Sequence, residues 1–202
     1  MTIRLLLADD ENLIRDALVS LLAMEEDLEV VAQAASGPEA LAAAAKVEPD
    51  VVVLDLQMPG ADGIQVAERL ALDLPACRSV IVTSHGRPGY LKKALAAGVR
   101  GFLPKTVSAK VLADVVRQVY AGGRYVDPEL AADAISSGAS PLTTRESDVL
   151  ELAADGAPVE EIAHRASLSP GTVRNYLSSA VAKVGSANRH EAVATARRHG
   201  WI

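Results

Sequence analysis

The stretch VVVLD, Val51–Asp55, constrains the fold more than any other part of the chain. Four apolar residues follow one another without polar alternation, end on a carboxylate and run into Met58-Pro59-Gly60. A strand with every side chain apolar is buried on both faces, and such strands belong to parallel sheets covered by helices. Runs of the same kind recur at Ile3–Ala8, 29–34, 79–83 and Gly101–Pro104. Helix signals separate them, at 12–24, 38–47, 63–74, 89–97 and 109–121. In the first helix, Leu13, Ala17, Leu18, Leu21 and Leu22 repeat with the 3.6-residue period of an apolar face. Ser36 before Gly37-Pro38 has the form of an N-cap with proline in the first turn.

Five strand–helix units of this length predict a flavodoxin-like, doubly wound, five-stranded parallel sheet over residues 1–122, in strand order 2-1-3-4-5. Residues 123–140 change character, with glycines and Ser-Ser-Gly-Ala-Ser before Pro141, and read as a linker with one short helix at about 128–135. Residues 141–202 read as a small all-α domain. Thr143-Thr144-Arg145-Glu146 is a capping box opening a helix with Val149, Leu150, Leu152 and Ala153. Further helices are expected at Val159–Ala166, from Pro170 behind the N-cap Ser169, and at 191–199.

The charge is divided along the chain. Residues 1–122 carry 12 Lys/Arg against 16 Asp/Glu, whereas from Arg165 onward there are 6 basic residues and one acid, Glu191. An acidic first part and a basic tail predict different partners for the two domains. The single cysteine, Cys77, excludes an internal disulfide framework and fits a reducing compartment. MTIRLLLADD reads as a strand rather than a signal peptide, and no apolar run approaches the roughly 18 residues of a membrane span. The expectation is a cytoplasmic protein without membrane insertion.

In a parallel sheet of this order, function gathers at the carboxyl ends of the strands, where the order reverses. Asp9 and Asp10 follow the first strand, Asp55 ends the third, Thr83 and Ser84 the fourth, and Lys105 follows the fifth. Three crowded carboxylates raise one another's pKa, a conflict that a divalent cation removes. Mg²⁺ suits a few carboxylate oxygens plus water and phosphate. With the charge offset, Asp55 is suited to attack phosphorus, and Lys105 and Thr83 to contact the phosphoryl oxygens.

LLLADDE, VVVLDLQMPGADG, VIVTS and GFLPK resemble, in sequence, order and spacing, the receiver domain of bacterial two-component response regulators. The resemblance implies that Asp9, Asp10, Asp55 and the backbone carbonyl of Gln57 hold Mg²⁺. It further implies that Asp55 accepts a phosphoryl group from a sensor histidine kinase, that Phe102 is the switch aromatic moving with Thr83, and that Gln57 and His85 tune phosphoryl lifetime. The sequence departs from the family at Pro104, before Lys105, and at Thr106, after it.

In the C-terminal part, 159–166, a turn at Ser167-Leu168 and 170–184 form a helix-turn-helix candidate. Ile162, Ala163, Ala166, Leu168, Val173 and Leu177 are expected inside it. Gly171, Thr172, Arg174, Asn175 and Ser178 then face outward at the start of the last helix, where a recognition helix reads bases. Lys183, Arg189, Arg197 and Arg198 are expected at phosphates. LTTRESDVLELAADG, EEIAHRASLSPGTVRNYLSSAVAKVG and NRHEAVATARRHG resemble the LuxR-type DNA-binding domain, with Gly171 where many relatives carry lysine. Receiver followed by LuxR-type domain is the arrangement of the NarL/FixJ class. The implied function is a phosphorylation-activated, promoter-binding transcriptional regulator, not an enzyme, that forms a homodimer on double-stranded DNA when phosphorylated. Two rivals remain. One is a DNA-binding regulator whose receiver only dimerises, independently of phosphorylation. The other, an aspartyl-nucleophile phosphohydrolase, requires an acid two residues after the nucleophile, where this chain has Gln57.

Overall fold

The computed structural model describes residues 2–84, 88–136, 140–199 and 201–202. The N-terminal unit alternates β1 (Ile3–Ala8), α1 (Asn12–Leu22), β2 (Leu28–Ala34), α2 (Gly37–Val47), β3 (Val51–Asp55), α3 (Gly63–Asp73), β4 (Arg78–Thr83), α4 (Pro88–Ala96), β5 (Gly101–Pro104) and α5 (Ala109–Tyr120). The strands form one parallel sheet in the order β2-β1-β3-β4-β5-β6, which contains the expected order of five. The sixth strand, β6 (Tyr125–Val126), comes from the stretch read as linker. Tyr125 N donates to the Arg100 carbonyl at 2.8 Å and Asp127 N to that of Phe102 at 3.0 Å. Gln118 adds a side-chain bond to the Arg124 carbonyl. Two residues give no periodicity to read, which is why this strand escaped the sequence reading.

All five residues of β3 are buried, as its unbroken apolar run demands. Alternation sends Leu5, Leu7, Val51, Val53, Val80, Val82 and Leu103 into a core closed by Leu22 of α1 and by Leu112, Val115, Val116 and Val119 of α5. Each fully buried leucine of this kind contributes about 1.5–3 kcal/mol. The opposite set, Leu6, Val52, Leu54, Ile81 and Phe102, is completely buried on the other side of the sheet. On α1 the expected apolar face is only partly inward. Leu22 is buried and Leu18 packs against the core, but Leu13 is 83% and Leu21 45% exposed. Val19 takes the inward place instead, so the buried stripe lies about one position round the helix from the predicted one.

The helix α6 (Pro128–Ser136) occupies the predicted short helical segment, with Asp127 Oδ1 accepting from the backbone of Glu129 and Leu130. The C-terminal unit contains α7 (Thr144–Leu152), α8 (Val159–Ala166), α9 (Pro170–Val184) and α10 (Arg189–Arg198). The capping box at Thr143 and Glu146 is formed in full, and Ser169 caps α9 with Pro170 at its first position. The last helix begins two residues before the expected 191, because Asn188 accepts from Glu191 N as its N-cap. Val149, Leu150, Ile162, Val173, Leu177, Ala180, Ala192 and Ala196 make its core, with Trp201 packed against it.

Candidate functional site

The parallel register brings the strand ends level: Ala8 pairs with Leu54, Asp55 with Val82 and Thr83 with Pro104. The residues just past those ends line a cavity of about 210 Å³, walled by Asp10, Glu11, Asp55, Gln57, Thr83, Ser84 and Lys105. Carboxylate oxygens of Asp9, Asp10 and Asp55 lie within 4.8 Å of one another. Asp9 and Asp55 are 2% and 7% exposed, while Asp10 reaches solvent. Hard oxygen donors at this spacing fit a divalent cation.

Lys105 closes the group. Its ammonium lies 2.8 Å from Asp9 Oδ2, 2.9 Å from Glu11 Oε1 and 3.3 Å from Asp55 Oδ1. Burial works against that charge, but hydrogen bonds to Asp9 and Glu11 and the charges of Asp55 and Asp9 hold the ammonium well above its ordinary range. For Asp55 the balance is different. Burial pushes its carboxyl up, Lys105 opposes this, and Asp9 adds repulsion. The outcome is a nearly enclosed carboxylate that gains from any added positive charge.

Several contacts fix this geometry. Asp9 Oδ1 accepts from Glu11 N at 2.9 Å, and Arg15 donates to the Asp9 carbonyl at 2.6 Å. Lys105 N donates to the Thr83 carbonyl at 2.8 Å, and Pro104 accepts from Val107 N in the turn beyond. The departure at Pro104 therefore leaves β5 paired to its last residue. Gly63 N donates to the Leu56 carbonyl, and a Cβ on Gly63 would press into the carbonyl oxygen of Asp55. Gln57 is exposed on the cavity rim, Thr83 is 1% exposed and Phe102 is completely buried. His85 lies outside the described residues. Glu11, directly before α1, is a further partner of Lys105, 94 positions away, and no local sequence signal announces that pairing.

In the C-terminal unit, α8, a turn with Ser167 in the left-handed region, and α9 form the helix-turn-helix pair. Ile162, Ala163, Val173 and Leu177 are buried, and Ala166 and Leu168 are half-buried. Gly171, Arg174, Asn175 and Ser178 are exposed along one side of α9. Arg174 pairs with Glu160, also exposed, at 3.2 Å. Thr172 is half-buried and its hydroxyl meets that of Ser169 at 2.8 Å. Arg189 donates to the carbonyls of Ala157 and Gly156, and Lys183 is bound to the buried carboxylate of Glu146 at 2.8 Å. Arg197 and Arg198 are exposed. Burial raises the pKa of Glu146, but hydrogen bonds from Lys183, Ser179 and Thr143 outweigh it and hold the carboxyl down to about 2.

Comparison with known proteins agrees with both halves of this geometry. Residues 5–117 match the response regulator receiver domain, and residues 140–196 match the bacterial regulatory proteins of the luxR family. The transcriptional regulatory protein DesR of Bacillus subtilis is 42% identical over 200 residues, covering 99% of each chain. The response regulator VraR of Staphylococcus aureus is 34% identical over 208 residues, covering 100% of each. The crystal structure of the response regulator ChrA, from a heme-sensing two-component system, is 31% identical, spans 100% of this chain and 99% of ChrA, and superposes with a TM-score of 0.59. An acid-lined receiver sheet, a helix-turn-helix unit and full-length relatives of the same build lead to one conclusion: the chain belongs to the response regulators of the NarL/FixJ class, which join a receiver domain to a LuxR-family DNA-binding domain.

Proposed function

We propose that Asp55 accepts a phosphoryl group from a sensor histidine kinase and that this modification shifts the chain toward a homodimer that binds promoter DNA. The observation that carries the reading is the cavity where Asp10, Asp55, Gln57, Thr83 and Lys105 converge, with Asp9 behind them. A carboxylate oxygen of Asp55 forms the new O–P bond while the N–P bond to the kinase histidine breaks, its electron pair returning to the imidazole. Mg²⁺, held by the carboxylates of Asp9, Asp10 and Asp55 and the carbonyl of Gln57, would supply positive charge against the phosphoryl oxygens. Lys105 exchanges its contacts with Asp9 and Glu11 for a phosphoryl oxygen, and the Thr83 hydroxyl donates a second bond. Phe102, buried on β5 next to Thr83's strand, passes the change to the packing.

In this reading residues 1–122 are the phospho-acceptor part, 123–140 the link and 141–202 the DNA-binding part, and the chain works in the cytoplasm. No helix among the described residues is long and apolar enough to cross a membrane. Thr172, Arg174, Asn175 and Ser178 are assigned to base edges and Arg189 to phosphate. The exposed Leu13 and Leu21 of α1, with Met24 just past its end, support a pairing surface there, whereas Leu112, Val115, Val116 and Val119 of α5 are spent on the core. Gln57 stands where an aspartyl-nucleophile phosphohydrolase needs its second acid, which favours a switch over turnover.

Treatment with acetyl phosphate and Mg²⁺, followed by intact mass and sedimentation, tests the reading. The wild-type chain should gain one phosphoryl group and shift from monomer to dimer, and Asp55→Asn should do neither. Equal modification or equal dimerisation of the variant would overturn it.

A further inference from the structure

We infer that Lys183 and Glu146 act as positioning residues for α9, locking the recognition helix onto α7, and that Lys183 is not a phosphate contact. The inference rests on the DNA-binding reading and changes the role that charge alone gives Lys183. Glu146 is the third residue of α7, a place where a capping-box acid ordinarily meets solvent; here it is 4% exposed. Among the described residues it is the one buried charged side chain of the C-terminal unit.

Its two oxygens receive three donors from two elements. Oε2 accepts from Thr143 N at 2.7 Å, which is the cap, and from Lys183 Nζ at 2.8 Å. Oε1 accepts from Ser179 Oγ at 2.6 Å. The cap alone would require only the first of these bonds.

Ser179 and Lys183 stand four residues apart on α9, one above the other on a single face. Holding both fixes the rotation of α9 about its axis as well as its position along that axis. Arg174 and Ser178 form the adjacent row of the same helix, so the direction in which they leave the domain is set by the row that Glu146 grips. If the Lys183 ammonium moved to a DNA phosphate, it would leave behind a carboxylate almost cut off from water, and an uncompensated buried charge is strongly unfavourable. Arg197 and Arg198, by contrast, are both exposed, and among the described residues neither meets a buried carboxylate.

The test compares full-length wild type with Lys183→Met, Lys183→Arg, Ser179→Ala and Glu146→Gln. The probe is a labelled duplex recovered from a random-sequence pool by selection with the phosphodonor-treated wild-type chain, and its affinity is measured across a salt series. Loss of a positioning contact should cost about tenfold in affinity for Lys183→Met and Glu146→Gln alike, the size of a coupling within one hydrogen-bonded network. The slope of log affinity against log salt should stay at the wild-type value, Lys183→Arg should restore affinity, and the unfolding midpoint seen by Trp201 should fall in Lys183→Met. Loss of a phosphate contact would instead lower that slope by about one while leaving the midpoint unchanged, and that result overturns the inference. Failure to recover any duplex with the wild-type chain would overturn the DNA-binding reading itself.

Discussion

The buried carboxylate of Glu146 makes the stability of the C-terminal domain depend on acid in a calculable way. Its carboxyl titrates near 2 in the folded chain against an ordinary 4.5, because the bonds from Lys183, Ser179 and Thr143 outweigh the effect of burial. A folded pKa below the unfolded one means that stability is present above the unfolded value and is lost as pH falls toward the folded one. The difference corresponds to about 3 kcal/mol at pH 7, of which about 1.4 kcal/mol remains at pH 3. Glu146→Gln removes the ionisable group while keeping its shape, so the stability gap between wild type and variant should close by more than half over that interval. The assay is urea unfolding of the full chain followed by fluorescence. Trp201, the only tryptophan, packs against the C-terminal core and reports on that domain alone. Other acids titrate equally in both proteins and cancel in the difference. A gap that stayed constant from pH 7 to pH 3 would refute the ionic account and leave only a packing effect.

Other substitutions address the remaining parts of the chain. Gly63→Ala should lower receiver stability by about 1–3 kcal/mol in thermal melts, since its methyl meets the Asp55 carbonyl; an unchanged melting temperature would contradict the packing there. Leu150→Ala should cost about 2–5 kcal/mol in the Trp201-detected transition, because Leu150 is completely buried. Leu13→Asp should leave the melting temperature unchanged and weaken dimerisation of the phosphodonor-treated chain about tenfold in sedimentation, if its 83% exposed side chain belongs to the pairing surface. Full-strength dimers would move the interface off α1.

Much of the receiver could be read from sequence because its signals are local. The unbroken apolar runs at Leu5–Ala8 and Val51–Leu54 announce strands buried on both faces, and the parallel order then carries Asp9, Asp10, Asp55, Thr83 and Lys105 to one end. What escaped depends on contacts between distant positions. Glu11 meets Lys105 only after the sheet has formed, and the inward face of α1 is chosen by the core it lands on. Glu146 was readable as a cap, since a capping box spans four residues. Its burial under Ser179 and Lys183, 33 and 37 positions on, was not.

The short strand β6 also decides how this side of the sheet can meet other molecules. An open strand edge offers a ladder of unpaired N–H and C=O groups on which a foreign strand can build. Here the carbonyls of Arg100 and Phe102 are already taken by Tyr125 and Asp127, and the next residue, Pro128, has no N–H to extend the ladder. Beyond β5 the sheet presents only the outer groups of two residues before turning into α6. A visitor to this flank therefore meets the two-residue outer edge of Tyr125 and Val126 in place of the β5 ladder. A receiver excised at residue 122 would lose that protection, and its tendency to self-associate would report a raw β5 edge that the intact chain keeps covered.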